Sequence, residues 1–324
     1  MHVFLFPGQG SQRRGMGKDL FDRIPEFTSV EAEIDELLGY SVRKLCLEDE
    51  HKQLSQTQYT QPCLYIVNAL HYYKALADGG SFGFLAGHSL GEYNALMAAG
   101  AFDLMTGLRL VQRRGELMAK AKNGAMAAVL GLTPEAVMRI VAQHQLRDID
   151  IANYNAPTQV VISGLESDIQ RAGSIIEKAG AKLYVPLPVS AAFHSRYMAD
   201  AAAAFDGFLG DFEFRPLRVP VVSNVTGQFY PSDPSGLSVR SLLAKQIVRP
   251  VLWTQSIRFL LNKGATAFSE VGPGDVLTKL VQQIRQASPA PSPGRLPDTQ
   301  NQSYSGVRAS PPPQANGQWA ARGD

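Results

Sequence analysis

The stretch FLAGHSLGEYNALMAAGAF, residues 84–102, decides how this chain is read. A short apolar run leads into Gly87-His88-Ser89-Leu90-Gly91, and a run of Ala, Leu and Met follows. This is G-x-S-x-G between an expected strand and an expected helix, the setting in which the pattern forms a nucleophile elbow. A helix N-cap serine alone would need neither glycine. On a sharp strand-to-helix turn the serine backbone is strained, and flanking glycines leave room for it. The helix dipole and the Leu90 backbone N–H would then face a developing oxyanion.

Working outward, VFLF near the N-terminus reads as a buried strand that ends in a loop, PGQGSQ. That loop lacks the lysine and the spacing of a phosphate-binding loop. Residues 18–75 read as mostly helical, with Pro25 and Pro62 as breaks. The segment LMTGLRLVQRRGELMAKA is amphipathic, with Leu108, Val111 and Leu117 at helical spacing. From about residue 125 the pattern changes to strand, helix (Thr133 as N-cap), two strands, helix and strand, the βαββαβ order of a ferredoxin-like unit. Helices are expected at 199–210, 239–247, 254–263 and 274–286, and strands at VPVVSNVTG and AFSEVG. The expected fold class is α/β. A large α/β-hydrolase-like subdomain (1–124 and 191–286) carries an inserted ferredoxin-like subdomain (125–190).

From Ala287 onward the composition shifts, with seven of the 20 prolines and almost no aliphatic residues. Residues 287–324 read as a disordered or polyproline-like linker or tail. The remainder can bury a sizeable core, the chain being 324 residues long, 45% hydrophobic and 19% charged. A net charge of +2 without a dense Lys/Arg run argues against nucleic acid as partner. Cys46 and Cys63 form no CxxC and read as small buried residues in a reducing cytoplasm. Neither a signal peptide nor an apolar run of about 18 residues is recognisable, so no membrane partner is expected. Asn224 sits in a glycosylation sequon, which has no meaning in a cytoplasmic protein.

A nucleophilic serine needs a base. His2 and His51 lie in polar segments expected to be exposed, and His71 and His144 sit within expected helices. His88, beside the serine on a sharp turn, should point away from it. His194 lies in VSAAFHSRYM, where the chain returns from the insert over the main sheet, a natural place for an active-site loop. The residues alone favour His194 and leave the choice open.

Taken together, FPGQGSQ, TQPCLYIVNAL, GHSLGEYNAL, VQRRGELM, NAPTQVVISG, AAFHSRYM, SNVTG and EVGPGDVLTKL resemble the malonyl-CoA:acyl carrier protein transacylase family, from about Met1 to Arg285. AAFHSRYM is more similar to polyketide synthase acyltransferases than to the fatty-acid enzyme. A family member that starts at its own Met1 is similar to the free-standing type, which serves assembly lines in trans.

The resemblance implies Ser89 as acyl-accepting nucleophile and His194 as general base and acid, oriented by the backbone carbonyl of Gln246. It implies the backbone N–H groups of Gln9 and Leu90 as oxyanion hole. Arg114, 25 residues after Ser89, would hold the malonyl carboxylate in its fork. Phe193 would narrow the pocket near C2 and favour malonyl over methylmalonyl. His88 and Gln61 are placed with the substrate-binding residues. No cofactor and no metal are implied. The substrate is malonyl-CoA, and the partner is an acyl carrier protein bearing its own phosphopantetheine. A monomer is the default for the fold. Arg249 departs from the small polar residue usual before the proline. Two other functions use part of this equipment: an acyl hydrolase, which has no use for Arg114, and a non-catalytic carrier-protein docking module, which needs no Ser/His pair.

Overall fold

The computed structural model describes residues 1–287. The expected linker beyond them lies outside the described residues. Eight strands occur there: β1 (His2–Phe6), β2 (Phe84–Gly87), β3 (Gly124–Leu130), β4 (Ile149–Ala156), β5 (Gln159–Leu165), β6 (Leu183–Pro186), β7 (Val221–Val222) and β8 (Ala267–Glu270). They form two four-stranded sheets.

The first sheet has the order β7-β2-β1-β8, with all neighbours parallel. Its strands are short and apolar because both faces are covered, as parallel sheets require. The alternation along β1 divides the burial. Phe4 and Phe6 join the core under the long Thr57–Ala77 helix, while Val3 and Leu5 join a second core with Trp253, Ile257 and Leu280. The carboxyl ends of β1 and β2 lie side by side, with Phe6 opposite Gly87. The PGQGS loop and the serine turn therefore leave the sheet at neighbouring points, where ligands of open parallel sheets bind.

The second sheet is antiparallel, in the order β4-β5-β3-β6. With the Pro134–Gln143 and Glu166–Lys178 helices it completes the ferredoxin-like βαββαβ pattern. Thr133 caps the first of these helices by accepting the Ala136 N–H. Val129, Val160 and Ile162 pack on one sheet face with Val137, Ile169 and Ile176. Met126 and Val161 belong instead to the main core. β4 is tied to the main body by two backbone bonds, Tyr154 N to Val251 O and Val251 N to Ala152 O.

Three expectations are corrected. Pro62 does not break the chain but lies inside the Thr57–Ala77 helix, in its second turn. One lost backbone bond is outweighed there by an almost continuous buried stretch, Thr60–Leu70. The strand expected over VPVVSNVTG shrinks to Val221–Val222, because the chain turns back with Gly227 N donating to Ser223 O. His2 is not exposed but part of β1, with Nε2 2.8 Å from Ser269 Oγ. Cys46 and Cys63 are free and buried. Among the described residues no helix is long and apolar enough to cross a membrane.

The serine turn is jammed against β1. A Cβ on Gly91 would sit 2.0 Å from the Phe6 carbonyl oxygen, and one on Gly87 would sit 2.0 Å from the Gly91 carbonyl. Backbone cannot retreat as a flexible side chain can. Gly91→Ala should therefore destabilise the protein by about 2 kcal/mol or more, towards the upper end of overpacking costs. Urea denaturation checks this, and a variant as stable as the parent would show that β1 and the turn are free to separate.

Candidate active site

Ser89 leaves the end of β2 with φ 51°, in the left-handed region that a residue with a side chain seldom occupies. Several bonds hold it there. The Ser89 N–H donates to Asn224 Oδ1 at 2.7 Å, and Asn224 Nδ2 donates to the Gly87 carbonyl at 2.7 Å. One buried amide thus clamps the turn on both sides of Ser89. The Ser89 carbonyl accepts from Gln246 Nε2 at 3.0 Å and from the Glu92 N–H at 3.1 Å. As a sequon Asn224 carries no functional signal; its place comes from the truncated strand, which brings SNVT back to the turn.

His194, also left-handed at φ 57°, places Nε2 2.8 Å from Ser89 Oγ. Its Nδ1 lies 2.8 Å from the Gln246 carbonyl. A carbonyl only accepts, so Nδ1 carries the proton and Nε2 offers its lone pair to the serine hydroxyl. Gln246 ends the Leu237–Gln246 helix, and carbonyls in a last helical turn lack intrahelical partners. Burial, and secondarily the positive charge of Arg114, push His194 down to about 3, so the imidazole is neutral at ordinary pH. This is the form able to accept a proton.

The N–H groups of Gln9 and Leu90 donate to nothing else among the described residues. Gln9 sits on a tight turn closed by Ser11, whose N–H and hydroxyl both donate to Gly8 O. Gly8 leaves no space for a side chain, since a Cβ there would lie 2.3 Å from the His88 carbonyl oxygen. Two free donors beside a serine hydroxyl can receive an oxyanion.

Arg114 lies on the Leu104–Ala119 helix and is almost wholly buried, on the same face as Val111 and Met118. NH1 donates to Gln61 Oε1 at 2.7 Å, and NH2 donates to Ser89 Oγ at 3.0 Å and to Gln246 Oε1 at 3.1 Å. Its Nε is buried without a partner, and the guanidinium lies 5.5 Å from the Tyr93 ring centre. All its hydrogen-bond partners are uncharged oxygens. A buried cation in this state can take up an anionic group in place of solvent. Arg113, by contrast, is half-exposed and pairs with Glu116.

Gln9, Gln61, His88, Ser89, Arg114, Phe193 and His194 line one cleft, together with Met126 and Asn153 of the second sheet. His88 points away from Ser89, as expected from the turn. Its Nε2 is 2.8 Å from Asn155 Oδ1 on β4, and its ring meets Trp253 edge-on. Phe193 is a buried wall of the cleft. The Arg249 side chain is exposed, and nothing in the structure explains its place there.

One charged residue escaped the sequence reading. Glu92 is fully buried on the Gly91–Ala98 helix. It accepts from the Tyr230 hydroxyl, from Gln246 Nε2 and, at 3.2 Å, from the Asn224 N–H. Burial pushes it up to about 7 against the pull of those donors and of Arg114. Its signal was its setting, since every other residue of that helix is also buried and no face is left for a solvated charge. Among the described residues no group of His, Cys, Asp and Glu side chains could hold a metal ion.

The fold and the comparisons with known proteins define an acyltransferase. The chain belongs to the acyl transferase domain family, which matches residues 3–306. It is 52% identical over 297 residues to the polyketide biosynthesis malonyl CoA-acyl carrier protein transacylase BaeC of Bacillus velezensis, covering 90% of this chain and 100% of that protein. The malonyl CoA-acyl carrier protein transacylase of Burkholderia pseudomallei superposes with a TM-score of 0.85 at 47% identity, covering 90% of this chain and 99% of the other. A malonyl-transacylase solved in complex with a type II polyketide acyl-carrier protein gives 0.82 at 36% identity, covering 88% and 93%.

His194 should stay neutral well below the range near 6.5 where an ordinary imidazole titrates. The unfolded chain gains a proton there and the native one does not. His194 therefore contributes stability above pH 6.5 that is lost as the pH falls towards 3. In a histidine-labelled NMR titration the resonance removed by His194→Ala should not move between pH 5 and 8. A midpoint near 6.5 would mean that water reaches the ring.

Proposed function

We propose that the chain moves a malonyl group from malonyl-CoA to the phosphopantetheine thiol of an acyl carrier protein, in trans, for polyketide assembly. Ser89 Oγ attacks the thioester carbonyl while His194 Nε2 takes its proton. The carbonyl oxygen becomes an oxyanion against the N–H groups of Leu90 and Gln9. The carbon–sulfur bond breaks, His194 returns the proton to the departing coenzyme A thiolate, and malonyl stays on Ser89 as an ester. The carrier-protein thiol then attacks that ester. It gives its proton to His194, which passes it to Ser89 Oγ as the alcohol leaves. The Gln246 carbonyl steadies the Nδ1–H tautomer throughout, the part an aspartate plays in other serine enzymes.

The observation that carries this reading is the Ser89–His194–Gln246 relay lying within reach of a buried arginine that has no acidic partner. The carboxylate of malonyl supplies that partner, while acetyl and most chains met by a hydrolase do not. Phe193 limits bulk near C2, where an extra methyl changes binding by only ~1–3 kcal/mol, so selection against methylmalonyl is incomplete. The site is complete within one chain, so a monomer suffices. The free cysteines suit a reducing cytoplasm.

Two measurements test this. Intact-mass analysis after incubation with malonyl-CoA should show one added malonyl group on the parent and none on Ser89→Ala. A modified alanine variant would move the nucleophile elsewhere. Competition between malonyl- and acetyl-CoA should show Arg114→Ala losing malonyl loading by roughly 30-fold to several thousandfold, since a buried charge left unpaired costs ~2–5 kcal/mol. Acetyl loading should stay within about threefold of the parent, so the preference for malonyl falls by roughly tenfold or more. Arg114→Lys should recover only part, because a point charge cannot copy the fork. Arg113→Ala should change neither donor by more than about twofold, as expected of a half-exposed ion pair. Equal losses for both donors in Arg114→Ala would make the arginine structural.

A further inference from the structure

Gln246 contributes two things to the cleft. Its carbonyl receives His194, and its side chain, fully buried, faces Arg114. A side-chain amide has a donor end and an acceptor end, and which end faces a cation matters. Here Oε1 accepts from Arg114 NH2, while Nε2 donates to Glu92 Oε2 and to the Ser89 carbonyl. The reversed amide would set NH2 against the guanidinium and oxygen against a carboxylate and a carbonyl.

Glu92 is held where it can impose this choice. The Tyr230 hydroxyl donates to Oε1, and the Asn224 N–H donates to Oε2 beside Gln246. Among the described residues these contacts are all neutral donors and no cation touches the carboxylate, which stands one residue along from Gly91 on the helix that begins at the serine turn.

We infer that Glu92 is a positioning residue for acyl-group selection: its carboxylate fixes the Gln246 amide with Oε1 towards Arg114, and so holds the guanidinium fork in the orientation that receives the carboxylate of the incoming acyl group. The inference rests on the reading of Arg114 given above. Without the Glu92 acceptor the Gln246 amide keeps only the Ser89 carbonyl at Nε2 and can turn. Of the two amides that brace the fork, only Gln61 then holds it in place, beside the Ser89 hydroxyl. Neutral acyl groups do not use the fork, so their loading is spared.

The test is the ratio of second-order loading rates for malonyl-CoA and acetyl-CoA, with folding of each variant checked by thermal denaturation. Glu92→Met keeps the volume but removes the strong acceptor. It should lower the ratio by roughly tenfold, the scale of one hydrogen bond to a charged group, with acetyl loading within about threefold of the parent. Glu92→Gln should restore the ratio to within about threefold. Its Oε1 can still accept from Gln246 and Asn224 while its Nε2 turns to the Tyr230 hydroxyl, which can accept. Gln246→Met, which leaves the backbone carbonyl in place, should lower the ratio as Glu92→Met does, and the double variant should be no worse than either single one. This arm stands even if Glu92→Met does not fold. An unchanged ratio in folded Glu92→Met, or in Gln246→Met, overturns the inference. So does an equal loss for both donors, which is what mere loosening of the turn would produce. Arg114→Ala is run alongside. If it collapses the ratio and Glu92→Met does not, only the role of Glu92 falls. If it leaves the ratio unchanged, the carboxylate-binding reading falls and this inference with it.

Discussion

Everything at this site depends on a serine backbone held in the left-handed region at the end of a buried parallel strand. Ser89 cannot relax, because Gly87 and Gly91 pack against each other and against Phe6 with no room for a single carbon. The turn brings the hydroxyl to His194 and, among the described residues, leaves the Leu90 N–H without a partner. Asn224 stabilises the strained state by bonding to both sides of it. Strain of this kind persists only when its surroundings over-determine it. Here close packing and an amide clamp do so together.

The second constraint is electrical. Arg114 and Glu92 are both fully buried, yet they do not touch; the Gln246 amide lies between them. A direct ion pair would satisfy the arginine, which instead bonds only to uncharged oxygens. An intervening amide keeps the two charges near enough to offset part of the burial cost while the guanidinium still has free donors. The same residue, through its backbone, orients His194. Removing Gln246 side-chain atoms and displacing its carbonyl are therefore different perturbations, one acting on Arg114 and Glu92 and the other on His194.

The antiparallel sheet supplies the facing wall. Its outer face packs on its own two helices, and Met126, Asn153 and Asn155 face the cleft side instead. Asn155 Oδ1, 2.8 Å from His88 Nε2, holds that ring turned away from Ser89. The two backbone bonds between β4 and Val251 tie this wall to the main body. The dimensions of the cleft are set by that junction as well as by the side chains lining it.

Much of this was legible in the residues. Periodicity and cap chemistry placed the strands and helices of the βαββαβ unit, and G-x-S-x-G between a strand and a helix located the turn, because both signals are local. Arg114 could be singled out only through the resemblance of VQRRGELM to a known family, since helical periodicity treats an arginine as a surface residue. What the sequence could not determine depends on partners more than 100 residues away. Asn224 lies 135 residues from Ser89 and Gln246 lies 154 from Glu92, so neither bond leaves a local pattern. Pro62 differs for another reason: its local preference to end a helix is small beside the burial gained along that helix. Composition and spacing by themselves determined an α/β chain with a serine turn and an inserted antiparallel unit. Only the tertiary structure decided which imidazole nitrogen faces Ser89, which amide oxygens face Arg114, and that a carboxylate lies buried behind them. Those choices are made by hydrogen bonds that exist only once distant segments are packed out of water.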